Sequence, residues 1–369
     1  MKVLHYISGI SPTVGGIEKF VLNFYEAQRD NIELHILTRY YIENSKMIDM
    51  FRKNNIKVYS LNIHHLGIGN LYDFKKKLEV FFNEHKDEYD VFHVHCVTDP
   101  FVVSVAKKFH VKKILTHVHS YINKKVCLSN LLKYISIYEN SCKSDLCLAC
   151  SEDVGLATYP LKCISKFKVI NNGINAVLFE YNENLREKLR KKWNIQNEFV
   201  ISNIGRLESV KNHDFLIDIF NSILNKYDNS LLIIIGDGVL KEQLIEKCKK
   251  LNICHKVLFM GEQEEVSEFL LMSDVFVLPS KNEGLGIAAI EAQASGLMTF
   301  VSKDVVPQMV DCTGLVNFIG LEKSADYWAE IILSKALSYD RKSTYNIFLK
   351  NGFDNKYSSG VLIDLYENN

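Results

Sequence analysis

Residues 283–292 read Glu-Gly-Leu-Gly-Ile-Ala-Ala-Ile-Glu-Ala, and they follow a short apolar run at Val275–Leu278. The apolar run has the length of a buried strand, and the stretch after Gly286 has the composition of a helix. A strand, a glycine-containing loop and a helix form the repeating unit of a doubly wound sheet, in which ligands bind beyond the carboxyl ends of the strands. This stretch therefore predicts the fold class and also where the chemistry should be sought.

The same alternation of short apolar runs and helical patterns extends in both directions. It predicts parallel strands joined by crossover helices. In the first half, strands are predicted at Val3–Ser8, Glu33–Thr38, Lys57–Leu61, Val91–His95, Lys113–His117 and Leu146–Cys150. In the second half, they are predicted at Phe199–Ile204, Leu231–Ile235, Lys256–Met260, Val275–Leu278 and Met298–Val301. Because the strand–helix alternation occurs in two successive series, we predict an α/β protein with two Rossmann-like doubly wound domains facing each other across a cleft.

A turn-forming cluster, Asn171-Asn172-Gly173, separates the two series of strands. We therefore expect a first domain at residues 1–172 and a second at 173–345. The remaining segment, 346–369, contains a helical pattern at Asp354–Tyr366 that is expected to cross back to the first domain.

The composition, with 47% apolar and 24% charged residues in 369, is that of a globular protein folded nearly from end to end. The amino terminus lacks the apolar region of a signal peptide, and no run approaches the roughly 20 apolar residues of a membrane span. Nine cysteines, an odd number, favour reduced thiols and a cytoplasmic location. Cys147 and Cys150 form a CxxC pattern, but without a second pair we interpret them as buried strand cysteines.

Charge is distributed unevenly although the net charge is zero. Residues 1–170 carry 23 Lys and Arg against 17 Asp and Glu, and residues 171–369 carry 21 against 27. This asymmetry is compatible with ordinary solvated surface. It also fits a first domain that makes peripheral contact with an anionic membrane. No nucleic-acid partner is expected.

Glu283 and Glu291 are the strongest candidates for ligand binding. At 1.5 Å per residue they lie roughly 12 Å apart, a separation that suits an extended ligand with hydroxyls at both ends. Between them, Gly284 and Gly286 expose amides at a helix start, where a phosphate is favoured. The competing interpretation is an N-terminal carboxylate and an ordinary surface glutamate, which either residue alone would satisfy.

Arg206 and Lys211 follow the predicted strand Phe199–Ile204. A guanidinium fork and a nearby ammonium can grip a diphosphate and stabilise the charge on a departing one. Two unrelated surface cations near a turn are the alternative.

Gly15 and Gly16 follow the first strand, and they allow close approach of a ligand to the backbone. The fuller glycine pattern of a dinucleotide-binding fingerprint is absent there. It is also absent at Gly236-Asp237-Gly238, which we interpret as a tight turn.

His117 and His119 stand at another predicted strand end, and His93 and His95 repeat their spacing. Alternate residues of a strand point the same way, so a metal pair is conceivable. Without a carboxylate or cysteine at matching spacing, we favour one ligand-contacting histidine over a metal site. His93 and His95 are expected to be core histidines.

Together these residues resemble glycosyltransferase family 4, retaining enzymes of the GT-B fold. Residues 283–291 are similar to the E-x7-E motif, 205–206 with 211–212 to the donor-phosphate motif, and 15–18 to the amino-terminal glycine loop. The resemblance covers nearly the whole chain. Residues 113–120 and 292–297 resemble the branch that builds bacterial capsule and exopolysaccharide.

The resemblance implies roles for these residues. Glu291 would hold ribose hydroxyls, Glu283 would contact the donor sugar, and Arg206 and Lys211 would neutralise the diphosphate, so that neither a metal nor another cofactor is expected. A histidine of the first domain would contact the donor sugar, with His117 and His119 left as alternatives. The resemblance also implies main-chain contacts with the phosphate, the sugar and the base. The residues concerned are Gly15, Gly16, Gly284, Leu285, Gly286, Met260 and Gly261.

The implied reaction is retaining transfer of a hexose or N-acetylhexosamine from a nucleoside-diphosphate sugar, with UDP as the expected nucleotide. The expected acceptor is a lipid-linked oligosaccharide in capsule or exopolysaccharide synthesis, at the inner face of the plasma membrane. A sugar-nucleotide epimerase of the same fold and a non-catalytic nucleotide-sugar-binding protein are the alternatives.

Overall fold

The computed structural model describes residues 1–10, 15–43, 45–120 and 128–368, the side chains of 128–130 excepted. The chain divides into two compact units: unit 1 comprises Met1–Gly173 with Asn355–Asn369, and unit 2 comprises Ile174–Asp354. The chain thus passes from unit 2 back to unit 1 after Asp354, later than the boundary at 345/346 expected from sequence.

Unit 1 contains a seven-stranded parallel sheet in the order β3-β2-β1-β4-β5-β6-β7. Its strands are Lys2–Ile7 (β1), Glu33–Thr38 (β2), Lys57–Ser60 (β3), Val91–Val94 (β4), Lys113–Val118 (β5), Leu146–Ala149 (β6) and Phe167–Val169 (β7). The strands near the middle of this sheet are almost wholly buried, because helices cover both of its faces.

The α-helices of unit 1 connect and cover these strands. They are Gly16–Gln28 (α1), Lys46–Lys53 (α2), Leu71–Glu84 (α3), Val102–Lys108 (α4), Leu128–Lys143 (α5) and Glu152–Thr158 (α6), together with the terminal Asn355–Glu367, labelled α14 in chain order. Helix α14 packs beside α1, and its Leu362 and Tyr366 are buried in the apolar cluster on that face of the sheet.

Unit 2 contains a six-stranded parallel sheet in the order β10-β9-β8-β11-β12-β13. Its strands are Phe199–Ile204 (β8), Ser230–Ile235 (β9), Val257–Gly261 (β10), Val275–Leu278 (β11), Met298–Ser302 (β12) and Val316–Ile319 (β13). The strand order reverses direction between β8 and β11, and this is the point where doubly wound sheets bind ligands.

The α-helices of unit 2 complete the second doubly wound domain. They are Glu183–Lys192 (α7), His213–Lys226 (α8), Lys241–Lys250 (α9), Val266–Met272 (α10), Ile287–Ala294 (α11), Ala325–Ala336 (α12) and Tyr345–Lys350 (α13). A large apolar cluster lies on one face of the sheet, where α8 and α12 pack together around the fully buried Trp328.

The predicted α/β class with two doubly wound domains is confirmed by these two parallel sheets. The eleven predicted strands are present, and their ends agree with the prediction to within one residue. Two further strands, β7 and β13, were not predicted. Both lie at sheet edges, where half-exposed residues give no continuous apolar run.

Cys147 and Cys150 are both fully buried free thiols, as expected for strand cysteines. None of the helices in the described part of the chain combines the length and the hydrophobicity needed to cross a bilayer.

Candidate active site

The loops that follow β8 and β11 meet at the reversal point of the unit 2 sheet. The two strands are neighbours, with Val275 paired to Ile201. Both therefore end at the same edge of the sheet, so that the loop containing Arg206 and Lys211 lies beside the loop containing Glu283.

Lys211 and Glu283 are in direct contact between these two loops. The Lys211 Nζ lies 2.7 Å from the Glu283 Oε1, and the Ser280 hydroxyl donates a hydrogen bond to the same oxygen over 2.7 Å. The side chains are only 21% and 7% exposed, so this ion pair is screened by water less than a surface pair. The predicted phosphate-binding cation and the predicted sugar-binding carboxylate are thus held side by side.

Two hydrogen bonds to main-chain carbonyls hold the two loops together as well. The Asn212 Nδ2 donates to the Pro279 carbonyl over 2.9 Å, and the Lys281 amide donates to the Val210 carbonyl over 2.7 Å. Asn212 adopts a left-handed conformation with φ 58°, which asparagine tolerates better than most residues. The position of Lys211 is therefore determined from both sides of the reversal point.

Glycines bring a third loop against the first one. Gly236 follows β9 at φ +133°, and a Cβ built there would lie 2.2 Å from the Gly205 carbonyl oxygen. The Leu207 amide donates to the Asp237 carbonyl over 2.9 Å. The tight turn expected at Gly236-Asp237-Gly238 thus packs against the backbone of Gly205 and Leu207, the two neighbours of Arg206.

Arg206 and Glu291 differ in their surroundings. The Arg206 side chain is 55% exposed and lies 3.0 Å from the Glu208 carboxylate. Glu291 is 2% exposed within α11, about one turn from the start of that helix. Arg206 is therefore available to an incoming ligand, whereas Glu291 belongs to a fixed part of the unit.

The start of α11 is the predicted position of a phosphate. Gly286 precedes the helix at φ +87°, a conformation that an L side chain rarely adopts. The first amides of any helix lack intrahelical partners and favour negative charge. Gly284 and the buried Leu285 lie in the loop immediately before it.

Met260 and Gly261 end β10, two strands from β8. Both are half-buried, and Gly261 has φ +66° with no neighbouring atom within 4 Å of a built Cβ. Within the protein, the Met260 carbonyl accepts a hydrogen bond from the Gln263 Nε2 over 2.7 Å, and the Gly261 carbonyl accepts one from the Gly236 amide over 2.8 Å.

His213, which sequence reasoning did not single out, follows Lys211 closely and is fully buried. Burial, with a smaller contribution from the Lys211 charge, lowers the pKa of His213 to about 4. The imidazole is consequently neutral at physiological pH and adds no third cation next to Arg206 and Lys211.

In unit 1, Gly15 precedes α1 and Gly16 begins it. A Cβ on Gly15 would lie 2.2 Å from the Glu18 Oε2, because the buried Glu18 side chain folds back over this glycine. Gly16 is exposed.

His117 and His119 belong to a cluster of five histidines on β1, β4 and β5. His93 and His95 are buried core residues, as expected, and each contacts one of the pair: the His93 Nε2 lies 3.2 Å from the His117 Nδ1, and the His95 Nδ1 lies 2.8 Å from the His119 Nε2. Burial lowers the pKa of His119 to about 3 and that of His117 well below its ordinary value.

The same cluster provides the nitrogen ligands that a metal would need. Nitrogens of His5, His93 and His95 lie within 4.8 Å of one another, as do those of His95, His117 and His119. These groups contain no carboxylate or thiolate to balance a divalent charge in a buried place. The expectation that the protein uses no metal remains a prediction.

The sequence did not single out Ser280, His5 and Tyr366 as site residues, whereas Asn212 belongs to the predicted donor-phosphate motif. Ser280 lies at the end of a predicted strand, three positions before Glu283, so its polar side chain was a usable signal. His5 lies directly opposite His93 in the sheet, which the order β1-β4-β5 would have revealed. Tyr366 gave no signal, because it lies 273 residues from His93 along the chain.

Two family models match the chain. Residues 14–177 match the model described as Glycosyltransferase Family 4, and residues 185–335 match Glycosyl transferases group 1. A Bacillus subtilis (strain 168) protein named as the glycosyltransferase EpsF is 27% identical over 99% of this chain and 96% of its own length. An Escherichia coli UDP-Gal:alpha-D-GlcNAc-diphosphoundecaprenol alpha-1,3-galactosyltransferase is 24% identical over 82% of this chain and 79% of its own.

Among solved structures, Anabaena HepE in complex with UDP and glucose superimposes with a TM-score of 0.79 at 18% identity, over 100% of both chains. At this identity the likeness shows the fold alone, which is the two-domain GT-B fold.

Proposed function

Because the chain belongs to glycosyltransferase family 4 and is a glycosyltransferase of the GT-B fold, we propose that it moves a hexose or N-acetylhexosamine from a UDP-sugar to a lipid-linked saccharide, with retention of configuration. The single observation that carries this proposal is the contact between Lys211 and Glu283 at the reversal point of the unit 2 sheet. This contact places the proposed phosphate-binding cation, Lys211, beside the proposed hydrogen-bond acceptor for sugar hydroxyls, Glu283.

The diphosphate is proposed to lie between Arg206, Lys211 and the start of α11. The two side chains supply positive charge, and the first amides of α11 supply hydrogen-bond donors. As the bond to the sugar breaks, negative charge grows on the leaving phosphate, and these groups stabilise it without a metal. In front-face transfer that phosphate also accepts the proton of the attacking hydroxyl, so that no carboxylate has to serve as the base.

Glu283 is proposed to accept hydrogen bonds from the transferred sugar. Lys211 and Ser280 both bind its Oε1, which fixes the carboxylate in one orientation. A fixed acceptor discriminates among sugars by the positions of their hydroxyls. Glu291 would bind the ribose, and the main chain of Met260 and Gly261 would lie near the base.

The acceptor is proposed from the curated relatives and from the surface of unit 1. The Escherichia coli relative is named for a diphosphoundecaprenol-linked acceptor, and a role in exopolysaccharide synthesis is proposed from the motif resemblance of residues 113–120 and 292–297. A capsular role is the related alternative within the same proposal.

Substitution of Lys211 by alanine tests the proposed function. We expect transfer to a lipid-linked acceptor to fall about 100-fold or more, because one charge-stabilising group typically contributes that much to the rate. Lys247→Ala is the matched control: its side chain is also 21% exposed and also binds carboxylates, those of Asp214 and Asp218. Transfer and release of free UDP would be followed together.

The outcomes separate the alternatives. Near-normal transfer by Lys211→Ala, in a variant that melts like the parent, would contradict the role of this lysine. Conversion of the donor sugar without an acceptor would indicate an epimerase. A panel of nucleotide sugars in a thermal-shift assay would identify the donor, because a ligand at 100 times its Kd stabilises the protein by about 2.7 kcal/mol.

Membrane contact is proposed for one face of α5, which carries exposed apolar side chains one turn apart. Leu131, Ile135 and Tyr138 are 54%, 53% and 52% exposed. Lys133 is exposed on the same helix, and the Lys162 ammonium lies 4.0 Å from the centre of the Tyr138 ring. Apolar side chains next to lysines suit an anionic lipid surface at the cytoplasmic side of the membrane.

Sedimentation with vesicles tests this contact. The double substitution of Leu131 and Ile135 by serine is expected to reduce binding to phosphatidylglycerol-containing vesicles several-fold, with little effect on neutral vesicles. Ile347→Ser, at a residue 49% exposed on α13 in unit 2, is the control. Equal binding by the double variant and the parent would refute the assignment of this face.

A further inference from the structure

Five histidines from three neighbouring strands gather on one face of the unit 1 sheet. His5 lies on β1, His93 on β4 and His117 on β5, while His95 and His119 directly follow the last two strands. Phe20 of α1 packs against four of these rings, and Tyr366 of α14 lies among them. Four of the histidines are buried and His119 is half-buried, so hydrogen bonds within the protein replace hydration.

The six polar side chains form one unbranched chain of hydrogen bonds. Starting from the His119 ring, the links are His119 Nε2 to His95 Nδ1 at 2.8 Å, His95 Nε2 to His5 Nδ1 at 2.8 Å, His5 Nε2 to Tyr366 Oη at 3.3 Å, Tyr366 Oη to His93 Nδ1 at 2.6 Å, and His93 Nε2 to His117 Nδ1 at 3.2 Å. The two end atoms, His119 Nδ1 and His117 Nε2, are buried and have no hydrogen-bond partner within the described residues.

The protonation state of the rings determines how many protons the chain holds. Burial lowers the pKa of His5 and His119 to about 3 and keeps the pKa values of His93, His95 and His117 well below the ordinary value. Each ring is then neutral at pH 7 and carries one N–H. With the tyrosine hydroxyl, six protons are distributed over five links and two ends.

In each direct link, the Nε2 of one ring faces the Nδ1 of the next ring. At Tyr366, the His5 Nε2 and the His93 Nδ1 both face the tyrosine hydroxyl. One proton per link leaves one N–H at one end and one bare nitrogen at the other. Only two arrangements satisfy all five links. In the first, all five histidines are Nδ1–H tautomers and His119 ends in a donor; in the second, all five are Nε2–H tautomers and His117 ends in a donor.

A mixed arrangement leaves a buried group unpaired. If His5 and His93 both donated to Tyr366, its hydroxyl proton would have no acceptor in the chain, at a cost of about 1–3 kcal/mol. If neither donated, one of the two nitrogens would face an oxygen without a shared proton. The two uniform states are therefore favoured.

We propose that the five histidines and Tyr366 act as one tautomer-coupled relay, in which His117 and His119 always present opposite hydrogen-bonding roles and Tyr366 is the positioning residue that joins the two halves. A ligand hydroxyl that accepts a hydrogen bond from one end histidine selects the state in which the other end accepts. Interconversion of the two states moves one proton along each of the five links, releases the proton of one end nitrogen to water and takes up one proton from water at the other end nitrogen, so that the net charge does not change.

This relay would explain why both end histidines lie at the carboxyl edge of β5. There the two end nitrogens, which are buried in this structure, form a matched donor and acceptor for a hydroxyl-rich ligand that reaches them, a role that rests on the proposed glycosyltransfer function. The tautomers themselves can be measured in substrate-free protein, so that failure of the relay and failure of the proposed function can be distinguished.

Nitrogen NMR of protein labelled with ¹⁵N-histidine tests the relay. Protonated and bare ring nitrogens have well-separated shifts, so long-range ¹H–¹⁵N correlation at pH 7.5 assigns the tautomer of each ring. We expect the five histidines to share one tautomer, or to interconvert together between the two. Assignment uses single His→Gln substitutions. A single ring of the five in the opposite tautomer would overturn the proposal.

Tyr366→Phe tests the central link, with Tyr89→Phe as the matched control. Tyr89 is also buried in unit 1 and lies 2.9 Å from a histidine nitrogen, His35 Nδ1, outside the relay. Loss of the shared tautomer in Tyr366→Phe, but not in Tyr89→Phe, is the expected result. If all five rings still share one tautomer in Tyr366→Phe, Tyr366 does not couple the two halves of the relay.

A metal ion is the competing occupant of the cluster. One equivalent of Zn²⁺ added to the labelled protein is expected to leave the five ring signals unchanged, since each inner nitrogen already shares a proton. Stoichiometric zinc binding at these nitrogens would overturn the relay, because a ligated nitrogen cannot form a link.

Discussion

At the scale of single residues, Lys211 and Glu283 form a partly buried ion pair at the proposed site. Each charge is held by the other at low exposure, and Ser280 adds a hydrogen bond to the carboxylate. Preorganised groups need little rearrangement when charge develops in a transition state.

The backbone beside this pair depends on Gly236. Gly236→Ala is expected to lower the free energy of unfolding of unit 2 by about 2–5 kcal/mol, because the added Cβ clashes with the Gly205 carbonyl and the positive φ is strained. Gly261→Ala is the control, since Gly261 has φ +66° and open space around it. It should cost about 1–2 kcal/mol.

Urea unfolding followed by tryptophan fluorescence measures both variants, because the two tryptophans, Trp193 and Trp328, lie in unit 2. Equal losses in the two variants would mean that the clash is relieved by movement of the loop after β8. In that case the account of how Gly236 supports Arg206 would be wrong.

At the scale of elements, helix α14 belongs to the core of unit 1 although it ends the chain. Its inward face buries Leu362 and Tyr366 against α1 and the sheet, while Tyr357 on the other side is 61% exposed. A helix of this length is marginal by itself in water, so tertiary packing must hold it.

Leu362→Ala is expected to destabilise unit 1 by about 2–5 kcal/mol, the usual range for a leucine removed from a packed core. Tyr357→Ala on the same helix should change stability by about 0.5 kcal/mol or less. Hydrogen exchange of the β1 amides reports on unit 1 directly. Unchanged protection in Leu362→Ala would show that α14 is dispensable for the first sheet.

The two unpredicted strands illustrate a limit at this same scale. β7 has three residues and β13 four, and most of their side chains are partly exposed. An edge strand is defined by the neighbour to which it hydrogen-bonds, and a short half-exposed run carries little of the periodic signal that identifies inner strands.

At the scale of the whole molecule, the histidines make the two units differ in their response to acid. The folded pKa values of the five clustered rings lie far below the ordinary value of 6.5, whereas the unfolded rings titrate near it. Below about pH 6.5 the unfolded chain binds protons that the folded chain does not. Stability is therefore complete above that pH and is lost as the pH falls toward 3.

Acidification is accordingly expected to unfold unit 1 before unit 2. Below the unfolded pKa, each buried ring lowers the free energy of unfolding by about 1.4 kcal/mol per pH unit, so that five rings lower it by about 7 kcal/mol per pH unit. In unit 2, the corresponding buried histidine is His213, with a folded pKa of about 4. Far-UV circular dichroism should begin to decrease near pH 5.5, before the tryptophan fluorescence of unit 2 changes. Coincident loss of both signals would contradict this assignment of the acid-sensitive groups.

The sequence by itself determined the local order of the chain and the residues at strand ends. Apolar periodicity indicated eleven of the thirteen strands, including the edge strands β3 and β10, and glycine, arginine, lysine and glutamate beyond three of them indicated a phosphate and sugar site. These signals are local, because a strand, its loop and the following helix are adjacent in sequence. The roles assigned to Glu291, Met260, Gly261, Gly15 and Gly16 remain predictions of that kind.

Only the tertiary structure decided which of those residues touch. Lys211 reaches Glu283, 72 positions away, because β8 and β11 are neighbours at the reversal point. Tyr366 joins His5 and His93 because α14 returns to the first sheet. Such contacts arise from strand order and helix packing, which depend on the burial of whole faces, and no local pattern of residues records them.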